Sequence, residues 1–362
     1  MKILFLAAYS ELGAASRIKV YQFLPLLEKR GVTCKTICFT PSFLYRMRLA
    51  STVHRNLLLV YYPLSYIAKV YKALQAIVIA PRFDIVFINE PIIPLGLEKW
   101  LRFANQNIVF QFSDAVFLDM QEGATLFERL KLRTLSQVWK RTVMIAKACL
   151  VDNSYTKSAV LPFCPNIEEM PGPVDTVKYF FKENTKKDKA VIIGWIGTPF
   201  NAKYLQVVKN AFQELQKNHH IILRLVGPEK YFKMEGVNFE LPEWRLDAEV
   251  SWLSTFDIGI MPLTDDPWTR GKAGYKLLQY MSMGIPPVAS PVGFNQELIQ
   301  DGVNGFLANS QEDWVKKLSL LIENAQLRKT IGEQARATIE QKYSLHKAEE
   351  KLLTIFKHII SA

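Results

Sequence analysis

The sequence has little with which to hold a metal or build covalent staples. Its four cysteines, Cys34, Cys38, Cys149 and Cys164, include no CxxC pair and no histidine at metal-ligand spacing. A disulfide scaffold is therefore not expected, and buried free thiols of a reducing compartment are the expected state. Five histidines (His54, His219, His220, His346 and His358) form no HExxH and sit in polar or lysine-rich settings. The GxxxxGK[ST] phosphate loop is absent. Neither glycine cluster, at Gly13 or at Gly194–Gly197, carries the third glycine of a dinucleotide fingerprint in register. No apolar run approaches the roughly 18 residues of a spanning helix. The longest, Leu57 to Ala68, stops at Lys69. The opening MKILFLAAYSELGAASR has a leader's outline, but Glu11 interrupts it. It reads better as a strand, Ile3 to Ala7, running into a loop of small residues. A soluble or peripheral protein is expected.

What is present is globular in kind: 362 residues, 49% hydrophobic and 22% charged. That length exceeds what one core usually supports, so two domains are expected. The charge is unevenly placed. Residues 1–165 hold 21 basic and 10 acidic side chains, and the remainder 24 of each, so the net +11 belongs to the first half. A one-sided basic half calls for an anionic partner. Nucleic acid is set aside because no RRM, KH or helix-turn-helix signature accompanies the charge. The segment Ser42–Arg82 interleaves Arg46, Arg48, Arg55, Lys69 and Lys72 with Leu, Tyr and Ile. That mixture suits a membrane interface, and it also fits an ordinary helix pair with solvated lysines.

Two strand-helix series follow one another. KILFLAA, TCKTICF, DIVFIN, NIVFQF and ACLVDNS read as buried strands of a first parallel sheet. A helix over Ser16–Arg30 is expected between the first two, with Pro25 as a local conflict. Residues Met170–Lys189, with two prolines, a glycine and many lysines, read as an interdomain connection. AVIIGWIG, HIILRLVG, DIGIMPL, PPVASP and NGFLA then form a second series. Helices are expected at Lys203–Lys217, Asp247–Thr255, Lys276–Met283, Glu312–Glu323, Ala325–Lys342 and Leu345–Ile360. No repeat of 20–50 residues is present. The expected division is 1–169, a connection at 170–189, 190–344, and a C-terminal helix at 345–362. Two doubly wound α/β domains of this kind can face their strand-end crevices toward a shared ligand.

No DxD motif is present, so a diphosphate would have to be neutralised by cations and helix amides. PLTDDPWTRGKAGYKLLQYMSMGIPPVASPVG, Pro262 to Gly293, has those parts: Arg270, Gly271, Lys272 and Gly274 in a loop, then a helix from about Tyr275 with Lys276 in its first turn. A cation there opposes the helix dipole unless an anion sits against it. The same segment, with Glu297 and DGVNGFLA, resembles the donor-domain signature of the group 1 glycosyltransferases, which transfer sugars from nucleotide donors. GWIGTPFNAKYL resembles the opening strand and loop of that domain, FDIGIMPL the strand before its donor loop, PGPVDTVKYF its interdomain stretch, and FSDAVF an acceptor-domain element. The matches span roughly Met1 to Leu345. The resemblance implies a GT-B fold, α/β with two Rossmann-like doubly wound domains facing across a cleft and a C-terminal helix returning to the first domain.

It also implies roles. Donor-binding residues would be Gly197, Thr198, Val226, Gly227, Arg270, Gly271, Gly274, Tyr275 and Gln279. Asp114, Lys272 and Lys276 would be catalytic, and Gly13, Ser16, Arg17 and Glu90 would lie on the acceptor side. Asp114 equally fits a helix cap or turn aspartate, Glu90 is read with the same ambivalence, and Gly197 and Thr198 also fit a plain tight turn. Many members carry two donor-site glutamates eight positions apart. Aligned on Gly284, Gly271 and Gln279 stand there instead, which leaves Asp265, Asp266 or backbone amides to meet the sugar. The implied chemistry is retaining transfer without metal or cofactor, from a nucleotide sugar to a lipid-linked or envelope-glycan acceptor. The implied place is the cytoplasm, peripheral on the membrane face. A nucleotide-sugar epimerase and a silent sugar-nucleotide-binding protein remain open alternatives.

Overall fold

The computed structural model describes residues 1–50, 56–119, 126–181 and 190–361. Two compact units make up the chain. The first comprises Met1–Gly172, Gly271–Ala273 and Ala348–Ala362, and the second Pro173–Arg270 and Gly274–Lys347. His54 and Arg55, and residues 182–189 of the expected connection, lie outside the described residues.

The first unit is built on strands β1 (Lys2–Ala7), β2 (Thr33–Cys38), β3 (Ile85–Asn89), β4 (Ile108–Gln111), β5 (Ala148–Val151) and β6 (Ile167–Glu169). Among the described residues they form one parallel sheet ordered β2-β1-β3-β4-β5-β6. Burial on both faces explains the unbroken apolar runs: Ile3–Ala7 and Ile85–Asn89 are fully buried. β2 is an edge strand, half-exposed, with Lys35 and two threonines. Helices α1 (Ala14–Lys19), α2 (Leu24–Lys29), α3 (Ser42–Ala50), α4 (Leu57–Ile79), α5 (Glu98–Ala104), α6 (Leu126–Ile145) and α7 (Ser154–Val160) connect the strands. The single helix expected over Ser16–Arg30 is in fact α1, a 3₁₀ turn at Tyr21–Phe23, and α2. Pro25 decides this, because it is tolerated only in the first turn of a fresh helix, where no amide hydrogen is needed.

The second unit has β7 (Val191–Ile196), β8 (Ile221–Val226), β9 (Ile258–Met261), β10 (Pro287–Ala289) and β11 (Phe306–Leu307), parallel and ordered β11-β10-β9-β7-β8. Its helices are α8 (Lys209–Asn218), α9 (Glu249–Leu253), α10 (Pro267–Arg270), α11 (Tyr275–Ser282), α12 (Phe294–Leu298), α13 (Gln311–Glu323) and α14 (Ala325–Thr338), and α15 (Leu345–Ser361) starts in it. Two apolar clusters cover the faces of this sheet, one around Leu277, Tyr280 and Phe294, the other around Trp195, Phe212 and Trp314. The helix expected over Lys203–Lys217 begins only at Lys209, after a 3₁₀ stretch at Pro199–Val208.

From Ala348 onward α15 belongs to the first unit. There Phe356 meets Phe87 edge-on, Glu349 pairs with Arg30, and Lys147 Nζ donates to the Ile359 carbonyl at 2.8 Å. All four cysteines are free, with Cys149 and Cys164 buried. Among the described residues no helix is long and apolar enough to cross a membrane.

Candidate active site

Doubly wound sheets bind ligands beyond the carboxyl ends of their strands, at the point where strand order reverses. In the second unit that point lies between β7 and β9. Gly197 follows β7 directly, and its N–H donates to the carbonyl of Val226, the last residue of β8. Gly227 follows with φ of +100°, and a Cβ there would lie 2.1 Å from the Gly197 carbonyl oxygen. Two backbones therefore press together where neither position has room for a side chain.

The space above them is held by Lys276. Its Nζ stands 4.3 Å from the centroid of the buried Trp195 ring, and 3.1 Å from where a Cβ on Gly197 would be. The indole face thus holds a cation in the first turn of α11, where the helix dipole disfavours one. Gly274, at φ +64°, makes the turn into that helix against Phe294, and Tyr275 opens it half-buried. Thr198 Oγ1 accepts from Asn201 Nδ2 at 3.3 Å ahead of the 3₁₀ stretch. Gly197, Thr198, Val226, Gly227, Gly274, Tyr275 and Lys276 therefore belong to one end of one sheet.

Other expected donor residues do different things. Arg270 forms a two-toothed pair with Asp265, at 2.6 and 3.0 Å, and Asp266 accepts the Thr269 N–H. Both aspartates named as stand-ins for a sugar contact thus shape the loop. Gln279 is buried and donates to Tyr179 Oη (3.0 Å) and Glu249 Oε1 (3.2 Å). Tyr179 also donates to Glu249 Oε1 (2.5 Å), while Trp244 Nε1 donates to Oε2 (3.1 Å). Burial, the nearby Tyr275 and the Glu249 carboxylate push the Tyr179 phenol up, so it stays a donor. This set sits one turn along α11 from Lys276, and Trp244 borders Gly227. Arg336 fixes it from below by donating to the carbonyls of Tyr179 (2.8 Å) and Thr176 (3.2 Å). A buried carboxylate thus lies beside Gln279, supplied by α9.

In the first unit the reversal falls between β1 and β3, and the expected acceptor-side residues gather there. Gly13 packs on Tyr9 so closely that a Cβ would stand 2.5 Å from the Tyr9 Cβ. Arg17 Nη1 ties down the loop through the Glu11 and Leu12 carbonyls, at 3.2 and 3.3 Å. Ser16 Oγ accepts from Tyr9 N (3.0 Å) and donates to Asn89 Oδ1 (2.6 Å). Asn89 Nδ2 donates to Gln111 Oε1 (2.7 Å), and Gln111 Nε2 to Ser113 Oγ (3.3 Å). This relay crosses the ends of β1, β3 and β4.

Glu90 and Asp114 follow β3 and β4 with φ of +69° and +59°. A left-handed backbone costs such residues about 1–3 kcal/mol each, and it is typically retained where a side chain must be aimed. No helix starts at Asp114, so the capping reading falls. Glu90 Oε1 accepts the Ser113 N–H at 3.1 Å. Lys19 pairs with Asp152 and donates to the Met170 carbonyl (2.8 Å), with both partners buried. Within this unit too, Gly271 packs on the Ala115 backbone, and the Lys272 carbonyl accepts from Asn153 Nδ2 at 3.1 Å. A side chain at 271 would collide there.

Burial pushes the Glu90 carboxyl well up, helped by Asp114 and Asp152. A raised carboxyl in the folded state means that the native form holds its proton where the unfolded chain has lost it. Stability from this group is therefore full in acid and falls as pH rises above the ordinary carboxylate range. Glu90→Gln keeps the acceptor for Ser113 and removes the titration. Its melting temperature should exceed that of the wild type at pH 7, with the gap closing toward about pH 4. Calorimetry across that range tests this, and a gap independent of pH would contradict it.

Among the described residues no group of three or more His, Cys, Asp or Glu is placed to hold a metal ion. Residues 188–324 match the family model described as glycosyl transferases group 1. The chain is 36% identical over 205 residues to an uncharacterized glycosyltransferase of Methanocaldococcus jannaschii, covering 53% of this chain and 50% of that one. It thus spans about half the length of this curated relative. Among solved structures it is similar to Anabaena HepE in complex with UDP (TM-score 0.66, 16% identity, 99% of this chain and 100% of that one). It is also similar to sucrose-phosphate synthase of Thermosynechococcus elongatus (TM-score 0.68, 12% identity, 100% and 99%). The class these findings define is GT-B. Within it, residues 188–324 are the part of the chain that matches the group 1 glycosyl transferases model.

Proposed function

We propose that the protein is a glycosyltransferase that takes a sugar from a nucleotide donor and places it on a glycan or lipid-linked acceptor. The observation that carries this is Lys276: a cation fixed over Trp195 in the first turn of α11, beside two backbones without side chains at the reversal point of the second sheet. A pyrophosphate is the ligand such a place suits, because close backbone approach, helix amides and an ammonium group all favour it. The base would pack near Val226 and Gly227, and the diphosphate would meet Lys276, the Gly274–Tyr275 amides and Thr198. Lys272, which groups with the first unit, is proposed as a second cation on the resemblance of the donor segment alone.

Departure of a nucleoside diphosphate leaves negative charge on the leaving oxygen, and preorganised cations stabilise it as it forms. This route needs no bound metal or cofactor. In the first unit, Asp114 and Glu90, aimed by their unusual backbone, would orient the acceptor hydroxyl or sugar, with Gly13, Ser16 and Arg17 shaping that side. The resemblance of the donor segment implies retention of anomeric configuration. A cytoplasmic site at the membrane face, where a lipid-linked acceptor is found, completes the proposal and accords with the basic first half of the sequence.

Thermal unfolding in the presence of nucleotide diphosphates and their sugars tests the donor assignment. At a hundredfold excess over Kd, a true donor nucleotide adds about 2.7 kcal/mol. The melting temperature should then rise by several degrees with one nucleotide base, and the shift should persist in EDTA. No shift with any nucleotide would end the assignment, and a shift abolished by EDTA and restored by Mn²⁺ would end metal independence.

A further inference from the structure

Helix α4 is built inside out. Of its 23 residues, Tyr61, Ser65, Ala73 and Ala76 are buried, mostly small or hydroxyl-bearing. The large apolar side chains point outward: Leu59 is 78% exposed, Ile67 64%, Tyr71 62% and Val78 71%. With Pro63 and Leu74 these recur every three or four residues, so they form one stripe along the helix. Val60 and Leu64 widen it. An exposed apolar face of this length does not belong on a surface that meets only water. Neighbouring helices α3 and α5 expose Phe43 and Phe103 as well.

The stretch of sequence that carries the stripe has charge of one sign. From Lys29 to Phe83 the sequence contains nine basic residues and no acidic one. Lys69, on the inner side of α4, is held below its ordinary range by burial and by the like charges of Arg48 and Lys131. A protein partner would find apolar contact but would need a matching acidic rim. A bilayer with anionic headgroups supplies both chemistries along one plane.

We infer that α4 lies flat in the headgroup region of an anionic lipid surface, its outer stripe sunk among the acyl chains and the bases around it on the phosphates. At 1.5 Å per residue the helix is about 34 Å long, and it lies along the surface. The inference rests on the proposed membrane-face location and names the surface responsible. It also places the first unit's acceptor-side residues in a body anchored to the layer that carries a lipid-linked acceptor.

Vesicle flotation of the full chain tests it, comparing phosphatidylcholine alone with phosphatidylcholine plus phosphatidylglycerol. Wild type should float with the anionic vesicles, less so at high salt. Ile67→Glu/Tyr71→Glu, changed only at exposed positions, should bind about tenfold less or worse while keeping the nucleotide-induced thermal shift. If wild type floats and the variant floats equally, α4 is the wrong surface, although the membrane-face reading stands. If wild type ignores both vesicles, that reading and this one fail together. Loss of concentration-dependent dimerisation in the variant, without vesicle binding by wild type, would assign the stripe to a second copy instead.

Discussion

Lys276→Ala should lower turnover by about two to three orders of magnitude while leaving the fold intact. That range is what the loss of one preorganised electrostatic contact to a developing anion costs, roughly 2.7–4 kcal/mol in the barrier. The fold should tolerate the change for a separate reason. Lys276 is half-buried, lies in a first turn where a cation opposes the helix dipole, and meets the Trp195 face. Losing the ring contact costs about 0.5–2 kcal/mol, and relief at the helix terminus returns part of it. Melting temperature without nucleotide should therefore move little, while the nucleotide-induced rise shrinks. Lys276→Arg keeps the charge but replaces a point ammonium with a planar fork, so partial activity is expected. Steady-state kinetics beside calorimetry separates the outcomes. Activity and stability falling in proportion would make Lys276 a structural residue, and unchanged turnover would remove the diphosphate from this end of the sheet.

How far the sequence revealed this arrangement depended on how local each feature is. Strands β1, β3 and β7 were readable because burial on both faces demands unbroken apolar runs. β6 was not readable: Ile-Glu-Glu at a half-exposed sheet edge gives no such run. Gly197, Gly274 and Lys276 could be found because their meaning lies in a few residues around each. Gly227 was found as a strand end, but its φ of +100° against the Gly197 carbonyl required coordinates. Trp244 and Glu249 were missed, and Tyr179 was read only as part of the interdomain stretch, because the three converge on Gln279 from other parts of the chain. Glu249 in DAEVSW reads as an ordinary acid at a helix start. The exposed side of α4 was foreshadowed only as a mixture of basic and apolar residues, since hydropathy cannot tell which face of a helix is turned inward.

Lys19→Met is expected to be the most destabilising single change in the first unit, costing about 3–5 kcal/mol. Lys19 and Asp152 are both buried, and lie 133 positions apart in the sequence. Removing the ammonium leaves a carboxylate without its countercharge, and also takes a hydrogen bond from the Met170 carbonyl. Burial already pushes the Asp152 carboxyl up, with Lys19 holding it down. Without Lys19 it must rise further, so the native variant binds a proton that its unfolded chain releases. The deficit should thus be full at pH 7 and shrink as pH falls toward the ordinary aspartate range. Lys19→Met/Asp152→Asn should recover much of the loss, because no buried charge is then left alone. Calorimetric melting of the two variants at pH 7 and at lower pH decides it. A Lys19→Met deficit that neither acid nor the second substitution reduces would mean lost packing, and the tie between α1 and the end of β5 would not be electrostatic.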